Sequence, residues 1–219
     1  DNVVPIAFEE ADAGFATGLI DAGSVVSNHG SIHWKVPEIE GAKIQFGYIP
    51  VGGSAAVADG GTSGDTGANA GWSATVDYSP SMIPGLRIGG GLGELEDGSA
   101  SDGNDKEEET YFATYAFGPL SVGYQRAEEE NGGSTNYETD IYGASFNIND
   151  VFSVSYQYGE TVYKPASGTS VTAKFTGISA AYNIGPMAIK FTDNTGKNIN
   201  GSTTANDDDN RELNLSMSF

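Results

Sequence analysis

The chain has 219 residues, with 38% hydrophobic residues, 31 glycines, 11 tyrosines and no cysteine; this is enough for one domain, and it excludes disulfides and thiol chemistry. Acidic residues number 30 against 10 basic ones, a net charge of -20, which excludes nucleic acid as a partner because nothing offsets phosphate repulsion. No apolar run reaches the roughly 18 residues of a transmembrane helix.

Residues 1–30 carry no sustained period. Pro5 interrupts the one short strand that residues 2–8 could form, since proline cannot donate to a ladder. The stretch reads as a long loop bearing Glu9, Glu10, Asp12 and Asp21. From Ser31 the pattern turns regular. Ile32, Trp34 and Val36 alternate with His33 and Lys35. After a turn at 37–41, Ile44, Phe46 and Tyr48 alternate with Lys43, Gln45 and Gly47. A glycine-rich loop covers 52–70. Trp72, Ala74, Val76 and Tyr78 form one side of the next strand. A turn with two prolines follows, and Leu86, Ile88, Gly90 and Leu92 alternate with Arg87 and glycines. An acidic loop is expected over 94–109.

The second half continues in kind. Tyr111, Ala113, Tyr115 and Phe117 lead to a Gly118-Pro119 turn and back through Leu120, Val122 and Tyr124 to an acidic loop at 128–133. Tyr142, Ala144, Phe146 and Ile148 turn at Asn149-Asp150 into Phe152, Val154, Tyr156 and Tyr158. A loop at 164–168 precedes Ile178, Ala180 and Tyr182. Met187, Ile189 and Phe191 precede a long loop over 194–210. The last strand places Leu213, Leu215, Met217 and Phe219 opposite Asn214, Ser216 and Ser218.

This gives eleven strands, each with one apolar and one polar side, the period-two signature of a half-buried strand. Short turns and long loops alternate strictly. Antiparallel hairpins in sequence put all tight turns at one end, the asymmetry of outer-membrane barrels; Greek-key crossings would scatter the loop lengths. The expected fold is all-β, an antiparallel transmembrane β-barrel integral to a bacterial outer membrane. Its apolar side meets lipid and lipopolysaccharide, and its polar side lines a watery lumen. The aromatics agree: Trp34, Tyr78, Phe117, Tyr182 and Phe219 lie near the short turns, and Trp72 and Tyr124 towards the long loops, as two membrane interfaces select.

On the polar side stand His33, Lys35, Lys43, Arg87 and Lys190. If residues 1–30 fold inward, Glu9, Glu10, Asp12 and Asp21 face these bases across a constriction, and such charges set selectivity. No enzyme is expected: there are two histidines, His29 and His33, and neither a Gly-x-Ser-x-Gly turn nor a His-Glu-x-x-His pair. The acidic runs at 128–130 and 207–209 lack the spacing of an EF-hand. Asp207, Asp208 and Asp209 remain candidates for a loosely held Ca2+ or Mg2+ bridging lipopolysaccharide phosphates.

The last residues, with Glu212, Met217 and the terminal Phe219 in place, resemble the C-terminal strand of bacterial outer-membrane proteins; Asn214 sits where glycine is usual and Met217 where an aromatic is common. A closed barrel needs an even strand count. Either residues 2–8 supply a twelfth strand, giving a small closed barrel, or N-terminal strands precede this chain. On the second reading the chain resembles the C-terminal two-thirds of a general bacterial porin of the alphaproteobacterial type. That resemblance implies homotrimers of 16-stranded barrels, with the third extracellular loop folded into the lumen before the sixth strand. Counting back from Phe219 makes the Ile32 strand the sixth, so residues 1–30 fall where the constriction loop belongs and 31–219 supply the barrel strands. The expected function is a passive diffusion pore for small hydrophilic solutes and ions with mild cation preference. The competing expectation is a non-conducting surface barrel acting as adhesin, receptor or structural protein.

Overall fold

Period-two alternation from residue 31 onward builds a single antiparallel sheet. The computed structural model describes residues 2–8, 10–11, 31–49, 70–96, 105–132, 134–204 and 207–217. The strands are β1 (Ile32–Lys35), β2 (Ala42–Ile49), β3 (Gly71–Tyr78), β4 (Leu86–Leu95), β5 (Lys106–Phe117), β6 (Leu120–Asn131), β7 (Asn136–Asn149), β8 (Phe152–Lys164), β9 (Val171–Ile184), β10 (Met187–Lys197) and β11 (Asp208–Met217). Each pairs with its neighbours in sequence, in the order β1 to β11, so β1 and β11 are the two edges. No helix among the described residues is long and apolar enough to cross a membrane, which leaves crossing by strands untouched.

Turn chemistry fixes the short connections. Gly118 and Gly185 each take φ +56 before a proline, the backbone pattern of a two-residue hairpin with glycine first. At Asn149 the side-chain Oδ1 accepts the amides of Val151 (3.0 Å) and Phe152 (2.9 Å), so the asparagine closes its own turn. Gly85, at φ +90, presses against the Ala116 carbonyl, and a Cβ there would overlap it.

Register sorts the residues onto two faces. Trp34 opposes Phe46, Phe46 opposes Ala74, Tyr124 opposes Tyr142, and Tyr142 in turn opposes Tyr158. This face stays bare: Ile32 is 65% exposed, Phe117 70% and Leu213 73%. The other face carries buried polar groups, with Gln125 at 1% and Asn194 at 0% exposure. Apolar outside and polar inside inverts a water-soluble core and is the arrangement a barrel in lipid requires.

Three acidic stretches expected as loops are strand. Glu128 to Asn131 belong to β6, Lys106 to Glu109 open β5, and β10 and β11 take in Asn194 to Lys197 and Asp208 to Asn210. For the first two the reason is cross-strand charge pairing, with Lys106 on β5 reaching Glu129 on β6 (3.0 Å). On the apolar side's upper margin, Arg126 contacts Glu128 (2.6 Å), Glu138 (3.5 Å) and Asp140 (3.0 Å), Lys164 contacts Glu138, and Lys174 reaches Glu160 (3.8 Å). Glu128 lies opposite both Glu109 and Glu138, and Arg126 offsets that repulsion. Residues 2–8 form no twelfth strand: their amides go to side chains rather than to a ladder.

Candidate functional site

The polar face holds every base named from the sequence, and something else besides. Residues 2–11, so far as they are described, run across β6 to β10 on that face. Val3 donates its amide to Gln125 Oε1 (2.8 Å), Ala7 to Ser155 Oγ (2.8 Å), Phe8 to Ser179 Oγ (3.1 Å) and Ala11 to Gln157 Oε1 (2.5 Å). Asn194 Nδ2 donates to the Glu10 carbonyl (3.0 Å). An extended segment has amides with no ladder partner, and buried amides must be satisfied. Here a row of hydroxyls and carboxamides takes the place of a neighbouring strand.

Close approach needs missing side chains as well as present ones. A Cβ on Gly143 would stand 2.8 Å from Val4 Cγ2, one on Gly123 2.6 Å from Pro5 Cδ, and one on Gly177 2.8 Å from Ala11 Cα. Glycine lets the backbone of the segment lie on the backbone of the wall. Ser155 and Ser179 also bond each other (2.7 Å), and Thr192 donates to Asn194 Oδ1 (3.0 Å), which fixes the groups that hold the segment. Under its end, Ala11 packs with Ala173 and Phe175 in a small apolar cluster.

The named bases divide into covered and open ones. Lys190 lies over the Phe8 ring, Nζ 4.9 Å from the centroid. Arg87 grips Asp77 with Nε (3.1 and 3.0 Å) and Nη2 (2.6 Å) and stacks on Phe112 at 4.9 Å. His33 contacts Ser31 Oγ (2.8 Å) through Nε2 and Gln45 Nε2 (3.2 Å) at Nδ1. Lys35 and Lys43 are exposed on β1 and β2. Of the acids named for the constriction, Glu10 is described within the segment, while Glu9, Asp12 and Asp21 lie outside the described residues.

Trp34 stacks on Phe46 (5.6 Å) and Tyr182 meets Phe152 edge-on (6.1 Å). Trp72 Nε1 donates to Glu94 (3.2 Å). Tyr124 stands in a row with Tyr111, Tyr142 and Tyr158, at centroid spacings of 6.3, 5.0 and 6.2 Å. Its hydroxyl donates to Asp140 (2.6 Å), so the row marks where the bare apolar face gives way to charge. Tyr78 and Phe117 lie at the short-turn ends of β3 and β5; Phe219 is outside the described residues. Asp208 and Asp209 are consecutive in β11 and so point to opposite faces. Asp207 accepts the Asn198 amide (3.0 Å), and among the described residues no three acidic or histidine side chains gather as a metal would require.

Sequence reading missed the seat of the segment. The signal lay in β6 to β9, where glycines at inward positions interrupt serines and glutamines. Only the position of the segment turns that pattern into a groove.

A family model described as Gram-negative porin matches residues 17–219. No curated protein matches. Among solved structures, the chain is similar to an anion-selective porin from Comamonas acidovorans, with 18% identity and TM-score 0.65, covering 86% of this chain and 59% of that one. It is also similar to the outer-membrane expressed OmpT of Vibrio cholerae, with 11% identity and TM-score 0.55, covering 76% of this chain and 54% of that one. A loop L8 deletion mutant of OmpT gives 11% identity and TM-score 0.57 over 91% and 70%. The chain thus spans little more than half the length of the first two structures.

Proposed function

Since the chain belongs to the Gram-negative porin family, an outer-membrane family, we propose that it forms the larger part of a passive diffusion pore for small hydrophilic solutes and ions. The observation that carries this reading is the segment on the polar face. Residues 2–8 and 10–11 occupy part of the wall instead of filling the whole interior, and no described segment covers the polar faces of β1 to β4. The whole protein is a homotrimer set in lipid and lipopolysaccharide, it works without a bound cofactor, and it performs no catalysis.

The pore prefers cations mildly, and the source is its mouth. The polar strand faces are balanced: Lys35, Lys43, Arg87, Lys106 and Lys190 stand against Asp77, Glu108, Glu129, Asp208 and Glu212. The excess of the -20 charge lies in loops and on the outward upper wall. Fixed charge at a mouth concentrates counter-ions and weakens with salt over a Debye length of about 10 Å at 0.1 M.

Single-channel recording in planar bilayers tests the proposal. The expected result is stepwise current with a reversal potential favouring cations at low salt, the bias shrinking as salt rises. Absence of current steps from the purified protein supports the non-conducting surface barrel instead.

A further inference from the structure

We infer that Lys35 and Lys43 form a station for a small doubly charged oxyanion on the open part of the polar wall; this rests on the pore reading above. In a chain with three acids to each base, six of the ten bases hold a carboxylate among the described residues, and Lys35, Lys43, Lys190 and Lys197 do not. Arg126, Lys164, Lys174 and Arg211 each hold a carboxylate, and Lys106 holds both Glu108 and Glu129. Among the described residues Lys35 and Lys43 have no ion pair, hydrogen bond or ring contact.

The two lysines are neighbours. Lys35 lies opposite Gln45, and Lys43 is two residues further along β2 on the same face. Such diagonal positions put Cβ atoms about 7 Å apart, within reach of one another for two long ammonium stems. The acid that stands opposite Lys43 is Asp77, and both its oxygens are engaged by Arg87. Lys35, Lys43, Asp77 and Arg87 therefore sum to two positive charges on four adjacent strands. Lys190, the other base of this face that lacks an acid, is capped by Phe8.

Two ammonium groups left side by side repel each other, and each offers three donors. A dianion such as inorganic phosphate relieves the repulsion and bridges both; chloride meets one lysine at a time. Both lysines are exposed, so each contact is weak in water. A ligand held this way lodges and leaves, the behaviour that conduction demands. The station is local: it slows and admits divalent oxyanions inside a pore whose mouth favours cations.

The test is ion current through the full chain in planar bilayers, in potassium chloride at pH 8, with inorganic phosphate added stepwise. Wild type should lose chloride-carried current in a saturating manner. Lys35→Gln with Lys43→Gln should need at least tenfold more phosphate for half the effect. Lys35→Arg with Lys43→Arg should keep the wild-type response, which shows that charge rather than folding is at issue. Lys174→Gln, on the outward face, should change nothing. Equal half-effect concentrations in wild type and the double glutamine variant, or normal chloride current insensitive to phosphate, overturn the station and leave the pore reading standing. No current from wild type overturns both.

Discussion

The two ends of this sheet are made by the same alternation and finish differently. In β1 to β4 no described segment covers the polar face, and Lys35 and Lys43 are exposed. In β6 to β10 it is covered, and Gln125, Gln157 and Asn194 are almost wholly buried beneath residues 2–8 and 10–11. Strand length follows the same division: β2 and β3 have 8 residues, β7 and β9 have 14. Alternation decides which face is polar. Whether that face is wet or docked depends on glycines that make room and on amides or hydroxyls placed to meet a backbone.

If the halves differ only inside, they should share one outer face. Val76→Arg in the open half and Val154→Arg in the covered half should each cost about 2–4 kcal/mol in lipid, measured by urea unfolding in vesicles. A large cost at one site alone would show that the two halves do not face the same solvent. Inside, they should diverge. Gly143→Leu pushes a side chain into Val4 and should destabilise by about 1–3 kcal/mol while raising single-channel conductance as the segment lifts. Ser73→Leu, on the open polar face, should leave stability nearly unchanged and lower conductance slightly. Similar effects from both would erase the distinction.

A smaller effect comes from the groups that hold the segment. Ser155→Ala should cost about 1–2 kcal/mol, since the Ala7 amide loses its acceptor. Ser155→Ala with Ser179→Ala should cost less than the sum, because the two hydroxyls bond each other; strict additivity would mean they act separately. The smallest effect is Asp77→Asn. The Asp77–Arg87 pair is 31% and 42% exposed, so stability should move by less than about 1 kcal/mol. Freeing Arg87 should still shift the reversal potential towards anions.

Strand count, order and facing were legible because one face meets lipid, and lipid tolerates no lapse in the alternation. Trp34, Tyr124 and Leu215 all fall on the face their spacing assigns. Strand ends were not legible. Glu128 to Glu130 read as loop by composition, yet Arg126 and its partners hold them in the ladder. Ser155 falls on the polar side by alternation alone; it is 7% exposed and occupied by the Ala7 amide. Its burial comes from a segment 148 residues away in sequence, and no local pattern encodes such a meeting. The inward bases were found individually, but their state depends on contacts: Asp77 and Phe8 answer Arg87 and Lys190 and leave Lys35 and Lys43 open.

The central claim, that residues 2–8 and 10–11 lie docked on the polar wall of β6 to β10, has a direct test because the chain has no cysteine of its own. A Cβ on Gly143 would lie 2.9 Å from Val4 Cβ, and a disulfide needs about 3.8 Å, a sub-ångström shift. Val4→Cys with Gly143→Cys should therefore cross-link on mild oxidation of the protein in its membrane, giving an altered band on a non-reducing gel that dithiothreitol reverses. Val4→Cys with Ser73→Cys, across to the open half, should stay reduced. Free labelling of both thiols in the first pair by maleimide after oxidation, with no cross-link, would contradict the account.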